Sequence, residues 1–242
     1  MNNNETLSKM SSMKLHGMKQ SFELTLEANQ SGKMTSDELI AMLIDAEYND
    51  RQNRRLERLL KAARFRYRAT VEEIDFSHKR NLNKNDFIRL ASCDYVSKNE
   101  SVIITGPTGA GKSYIASALG HQACICGNRV LYFNISKLFT RLKMLKADRS
   151  DIREKLKIEK HDLLILDDFG LQILDVDDRL ALLEIIEDRH GNKSTIITSQ
   201  LPVVKWHEAI GDETIADAIL DRIVHTAHRI ELNGSSLRKK KN

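Results

Sequence analysis

The sequence predicts an α/β fold: a parallel five-stranded sheet flanked by helices, preceded by a small all-α domain. Three observations carry this. From Val102 to Leu232 short apolar runs alternate with helical patterns, as in a parallel sheet covered on both faces. The stretch GPTGAGKS, Gly106 to Ser113, follows directly on the apolar run Val102–Thr105. A further apolar run, Leu163–Leu166, ends in the carboxylates of Asp167 and Asp168.

The N-terminal residues read as short helical pieces broken near Ser31 and Gly32. Thr35 followed by Glu38 fits a capping box, and the helix it opens carries Leu39, Leu43 and Ala46 and runs to about Ala63. From Val71 to Tyr95 the pattern weakens, and Asn81, Asn83, Lys84 and Asn85 suggest a connecting segment. The expected division is therefore residues 1–75 as a helical domain and 76–242 as the α/β domain. In the latter, Val102–Thr105 is a strand, Lys112–Cys124 a helix closed by Gly127, and Val130–Phe133 a strand. Ser136 opens a helical stretch reaching roughly Ile158, and Leu163–Leu166 is a strand. Asp177–Arg189 is a helix stopping at Gly191, Thr195–Thr198 a strand, Thr214–His228 a helix and Arg229–Leu232 the last strand.

Composition sets outer limits. With 242 residues, 41% hydrophobic and 30% charged, the chain can fill a core and stay soluble. A net charge of +4 permits a polyanionic partner without requiring one. No window approaches the apolar length of a membrane span, and Met1 to Gln20 lacks the apolar core of a signal peptide, so a cytoplasmic protein without membrane contact is expected. Cys93, Cys124 and Cys126 form no CxxC pair, which argues against a disulfide framework or a zinc site.

GPTGAGKS matches G-x-x-x-x-G-K-[ST]. Its glycines let successive backbone N–H groups point at phosphate oxygens, and the following helix aims its positive end at the same anion. The candidate nucleotide-binding residues are Gly106, Pro107, Thr108, Gly109, Ala110, Gly111, Lys112, Ser113 and the adjoining Tyr114. Lys112 supplies a charge for the β and γ phosphates, and Ser113 a hydroxyl for Mg²⁺. Strand ends in such sheets open onto the ligand crevice. There Asp167 can hold Mg²⁺, and Asp168 can orient or deprotonate an attacking water, or instead cap a helix or support its neighbour. Because Val130–Phe133 intervenes, the chain visits an outer strand before returning with the Asp strand. That order resembles the additional-strand class of P-loop ATPases. The resemblance implies that Thr195-Ile-Ile-Thr-Ser199 lies between the phosphate strand and the Asp strand. Thr198 or Ser199 would then face the γ-phosphate, and Ser199 joins Lys112, Asp167 and Asp168 as a catalytic candidate.

GPTGAGKS, LLILDDFG, TIITSQLPV-x-x-W and the closing ILDRIVHTAHRIELNGSSLRKK resemble the IstB-type helper ATPases of bacterial insertion sequences. These are relatives of the DnaC-type helicase loaders within the AAA+ class. The similarity covers roughly Phe87 to Lys241, and Trp206 with Asn233-Gly234 are its more specific marks. It implies an ATP- and Mg²⁺-dependent homo-oligomer on duplex DNA that serves a transposase; a helicase loader is the alternative. It also implies that Arg222 is an arginine finger reaching a neighbour's γ-phosphate. A local pair with Asp221 is the alternative, and Arg189 a second candidate for such a contact. One departure is the absence of sequence for a C-terminal helical lid after the last strand; Arg229 and Arg238 are not assigned to the arginine such a lid contributes.

Two basic stretches complete the reading. Arg51, Arg54, Arg55, Arg58 and Lys61 lie along one side of the first long helix, with Leu56, Leu59, Leu60 and Ala63 on a neighbouring arc. Such a stripe suits a phosphate backbone or is simply a solvated face. Phe65 and Tyr67 alternate with arginines and either stack on bases or pack inward. The second run holds Lys137, Arg141, Lys143, Lys146 and Arg149. In the family resembled, this region faces a central pore, so Lys137, Arg141 and Lys143 are further DNA-binding candidates. The tail Arg238 to Lys241 is an expected extra anchor. Without a base-reading module, binding should tolerate sequence and depend strongly on salt.

Overall fold

The computed structural model describes residues 2–28, 34–146, 150–234 and 236–237. By their internal contacts the residues form two units, Met1–Arg58 and Leu59–Asn242. Arg149 and the basic tail from Arg238 lie outside the described residues.

In the first unit, α1 (Asn3–Ser12) and α2 (His16–Glu27) precede the long helix α3 (Ser36–Ala63). The capping box is formed: Thr35 N donates to Glu38 Oε2 at 2.8 Å, and Glu38 N donates back to Thr35 Oγ1 at 3.2 Å. The buried Glu47 of α3 accepts from Gly17 N at 3.0 Å, Met18 N at 3.2 Å and Arg51 Nε at 2.6 Å. A carboxylate at the N-terminal end of α2 meets that helix's positive pole. Burial alone would raise its pKa, but these hydrogen bonds outweigh burial and hold it below the usual carboxylate range.

The second unit is built on a sheet of β1 (Val102–Thr105), β2 (Val130–Asn134), β3 (Leu163–Phe169), β4 (Ser194–Ser199) and β5 (His228–Glu231). Its order is β2-β3-β4-β1-β5 and every pairing is parallel. Thus β4 separates the phosphate strand β1 from β3, with Thr105 opposite Ser199. The register of β3 shifts between Leu166 and Phe169, and Asp168 takes a left-handed φ of 65° there. Such a bulge re-aims side chains at the end of a strand.

Around the sheet lie α4 (Lys84–Ala91), α5 (Asp94–Ser97), α6 (Lys112–Ile125), α7 (Ile135–Lys146), α8 (Asp151–Glu159), α9 (Val176–Arg189), α10 (Trp206–Ile210) and α11 (Glu213–Val224). Several elements differ from the sequence reading. The polar residues read as a connector cap a helix instead: Asn83 Oδ1 accepts from Asn85 N at 2.8 Å, opening α4. The stretch from Ser136 to Ile158 is two helices, α7 and α8. α11 stops at Val224 because His228 already pairs with Val102 in the sheet.

Residues 59–75 pack with the α/β unit rather than with the helices before them. Ala63, Ala69 and Ile74 are buried, and the Phe65 ring meets Tyr132 edge-on at 6.4 Å. Phe65 also lies so close to Gly120 that a Cβ there would sit 2.6 Å from its ring. No described helix is long and apolar enough to cross a membrane.

Candidate nucleotide site

The phosphate loop joins the buried strand β1 to α6. Gly106, Gly109 and Gly111 have φ of 145°, 84° and 94°, backbone that side chains rarely adopt. Their Cα atoms are also crowded: a Cβ on Gly106 would collide with Leu232 O, one on Gly109 with Ser236 Oγ, and one on Gly111 would come within 2.6 Å of Arg80 Nη1. Lys112 is only 6% exposed and its Nζ donates to Gly106 O at 2.8 Å and Pro107 O at 3.0 Å. Thr108 Oγ1 donates to Gln200 Oε1 at 2.7 Å, tying the loop to the end of β4. Leu237 N donates to Gly109 O at 3.0 Å, so Leu237 lies along the same loop.

The carboxylates converge on this loop. Asp167 is fully buried and accepts from Ser113 Oγ at 2.8 Å, from Thr198 Oγ1 and from Tyr132 OH. Burial, then the Asp167 charge, push the Tyr132 phenol up, so it stays a protonated donor. Asp168 accepts from Asn134 Nδ2 at 3.1 Å, and its N donates to Thr198 Oγ1 at 3.1 Å. Arg66 Nη1 reaches both carboxylates, at 3.2 Å from Asp167 Oδ2 and 2.9 Å from Asp168 Oδ2. Arg66, Lys112, Ser113 and Asp168 border a cleft of about 500 Å³, lined also by Tyr67, Tyr114, Leu171 and Leu237, with Asp167 buried behind it.

The donor set fits a magnesium nucleotide. The crowded glycines make a cradle that side chains would fill, and Ser113 Oγ with Asp167 Oδ1 is a pair of hard oxygens of the kind Mg²⁺ takes.

The loop residues, Lys112, Ser113, Asp167 and Asp168 come together as the sequence reading places them. Tyr114 lines the cleft, its OH donating to Glu73 Oε2 at 3.0 Å and its ring tilted against Tyr67 at 6.1 Å. Ser199 does not face the carboxylates: its Oγ donates to Phe169 O at 2.8 Å and accepts from Leu201 N at 3.0 Å. Alternation along β4 puts Thr198 there instead. Trp206, a mark of the resemblance, is fully buried against Phe169 at 4.6 Å and donates to Leu201 O at 3.1 Å, which pins the loop after β4.

Arg222 lies away from the cleft. Its Nη1 donates to Ala218 O and its Nη2 meets Glu187 Oε1, both at 2.7 Å, so its carboxylate partner is Glu187 rather than Asp221. Arg189 is 1% exposed and donates to Thr195 Oγ1, Ile158 O, His161 O and Ser194 O. It is spent on its own chain, which removes it as a contact to another copy.

The basic candidates divide by their partners. Arg51 pairs with Glu47 at 2.6 Å and Arg54 with Asp50 at 2.6 Å, acids one turn earlier on α3. Arg55, Arg58 and Lys61 are exposed, and Arg58 Nε donates to Arg54 O at 3.2 Å. On α7, Arg141 pairs with Glu154 at 3.2 Å, while Lys143 meets Asp175 at 2.6 Å and Asp178 at 2.8 Å. Lys137 is exposed on the same helix. Arg66, Tyr132 and Asn134 were not singled out from the sequence as site residues. The alternation of Phe65 and Tyr67 with arginines is the one local signal for Arg66, since Phe65 and Tyr67 are partly buried and the arginines around them exposed.

The family model of the IstB-like ATP binding proteins matches residues 8–242. The chain is 43% identical over 234 residues to an insertion sequence ATP-binding protein of Sinorhizobium fredii, covering 97% of this chain and 96% of that one. It is 30% identical over 231 residues to the IS21 ATP-binding protein of Pseudomonas aeruginosa, covering 96% and 87%. Among solved structures it is similar to the DnaC helicase loader, with a TM-score of 0.53 and 23% identity over 65% of this chain and 94% of that one; the likeness is one of AAA+ fold. With the loop, the carboxylate strand and β4 in this arrangement, the chain belongs to the family of IstB-like ATP binding proteins.

Proposed function

We propose that this chain is a Mg²⁺-dependent ATPase that assembles on duplex DNA, without strong sequence preference, and assists the transposase of a bacterial insertion sequence in the cytoplasm. The observation that carries the reading is Ser113 Oγ at 2.8 Å from the buried Asp167, directly behind a loop of crowded positive-φ glycines. The names of the relatives supply the insertion-sequence setting.

Lys112 and the loop N–H groups bind the β and γ phosphates. Ser113 and Asp167 would hold Mg²⁺, which when bound neutralises charge on the phosphate oxygens. Asp168, steadied by Asn134, orients a water and takes its proton as that oxygen attacks the γ-phosphorus, releasing ADP and phosphate. Thr198 donates to the Asp167 carboxylate and accepts from the Asp168 backbone N–H, so one hydroxyl ties both residues to β4. Arg222, donated by an adjacent copy, stabilises charge on the transferring phosphoryl group and makes turnover depend on assembly. The helices α1 to α3 carry DNA or partner contacts, chiefly through Arg55, Arg58 and Lys61 of α3, with Lys137 adding a contact from α7.

The test is phosphate release and particle size, measured with ATP, with and without Mg²⁺ and duplex DNA. Release that needs Mg²⁺ and rises as the chain assembles on DNA is the expected result. A chain that stays monomeric and inert under all four conditions overturns the proposal.

A further inference from the structure

Arg80 stands apart from the groups used above. It precedes α4 and is 6% exposed. Its Nη1 donates to Ala110 O at 3.1 Å and its Nη2 to Asp75 O at 2.9 Å. The buried Nε has no hydrogen-bond partner among the described residues. The Asp75 carboxylate accepts from Ser77 N at 2.7 Å, so Arg80 hydrogen-bonds that residue's backbone carbonyl and feels its carboxylate only through space. The guanidinium presses against Gly111, where a Cβ would come within 2.6 Å of Nη1. Its own backbone is fixed by Asn233 N, which donates to Arg80 O at 2.9 Å.

A buried cation bonded to carbonyls, in direct contact with no carboxylate among the described residues, is costly unless an anion arrives to offset it. A neutral side chain could have braced Ala110 O and Asp75 O without that cost. The loop beside it, Gly109 to Ser113, is where polyphosphate oxygens are received, and glycine at position 111 is what lets the charge come so close. Burial lowers the arginine's pKa, and the Asp75 charge acting through space offsets only part of that.

We propose that Arg80 is a further nucleotide-binding residue, a buried cation whose counter-charge is the polyphosphate of a nucleoside di- or triphosphate held by the loop. The proposal rests on the reading of this loop as a nucleotide site. It assigns to a residue ahead of the sheet a positive charge on the phosphates, in addition to Lys112.

The test compares wild type with Arg80→Met, Arg80→Gln and Arg80→Lys, using fluorescent ATP and ADP analogues and the melting temperature without nucleotide. Met and Gln should each weaken both nucleotides about tenfold or more. Lys, which keeps the charge, should fall between wild type and Met. Without nucleotide, the Met variant should melt at or above the wild-type temperature, because a buried unpaired charge has gone. Three results overturn the proposal: affinity in Arg80→Met within about twofold of wild type, Arg80→Lys no better than Arg80→Met, or Met and Gln variants that melt lower or fail to fold without nucleotide. The last would make Arg80 a brace of the loop. A wild-type chain that binds neither analogue fails earlier, and takes the nucleotide-site reading with it.

Discussion

Arg66 Nη1 lies 3.2 Å from Asp167 and 2.9 Å from Asp168, so one guanidinium nitrogen bridges both carboxylates at the end of β3. A divalent ion held by Ser113 and Asp167, as proposed, would compete with it for the same negative charge. The Arg66 side chain is 42% exposed, so solvent weakens the pair. Replacing Arg66 by Gln should lower the Mg²⁺ concentration that half-saturates nucleotide binding by about threefold. A Mg²⁺ titration with a fluorescent nucleotide measures it. Weaker ATP binding with an unchanged Mg²⁺ requirement would place Arg66 on the phosphates instead.

Lys112→Ala removes the charge proposed to meet the β and γ phosphates and should weaken ATP binding by about a hundredfold. Assembly on DNA that depends on ATP should be lost with it. Sedimentation with duplex DNA, with and without ATP, reads this; normal assembly of the variant sinks the link between nucleotide and oligomer.

Thr198 and Ser199 separate a site role from a packing role. Thr198→Ala should reduce phosphate release while leaving nucleotide affinity near wild type, because it removes the hydroxyl that holds the Asp167 carboxylate and the Asp168 backbone N–H. Ser199→Ala breaks bonds to Phe169 O and Leu201 N, and should cost about 1–3 kcal/mol of stability with little change in turnover per folded molecule. Denaturant melts beside phosphate-release assays distinguish the two.

For Arg222 and Arg189 the expectations run in opposite directions. Arg222→Ala should keep nucleotide affinity but lose hydrolysis in the DNA-bound assembly. Arg189→Ala strips four acceptors of a buried cation and should destabilise the α/β unit by about 3–5 kcal/mol. Hydrolysis surviving in Arg222→Ala would move the finger elsewhere.

Arg58→Glu with Lys61→Glu should weaken duplex binding and reduce the slope of log K against log salt by about two. Arg51→Gln with Arg54→Gln should change that slope less, since Glu47 and Asp50 already offset those charges. Equal slopes for both pairs would return the stripe to a solvated helix face.

Much of this was legible in the chain. The GPTGAGKS loop, the strand ending in Asp167 and Asp168, and the capping box of Thr35 and Glu38 all depend on residues close in sequence, whose spacing alone sets backbone curl, alternation and capping. The apolar periodicity likewise placed all five strands within a few residues of where they lie. What the tertiary structure decided are meetings between distant segments: Arg66 with Asp167, Tyr132 with Asp167, Arg80 with Ala110, and Glu187 with Arg222. It also decided that Thr198 rather than Ser199 faces the carboxylates, and that Arg189 is a buried brace. Charge alone does not say whether an arginine meets solvent, a carboxylate or a carbonyl. Burial and the neighbours brought by packing decide that, and neither is a local property of the sequence.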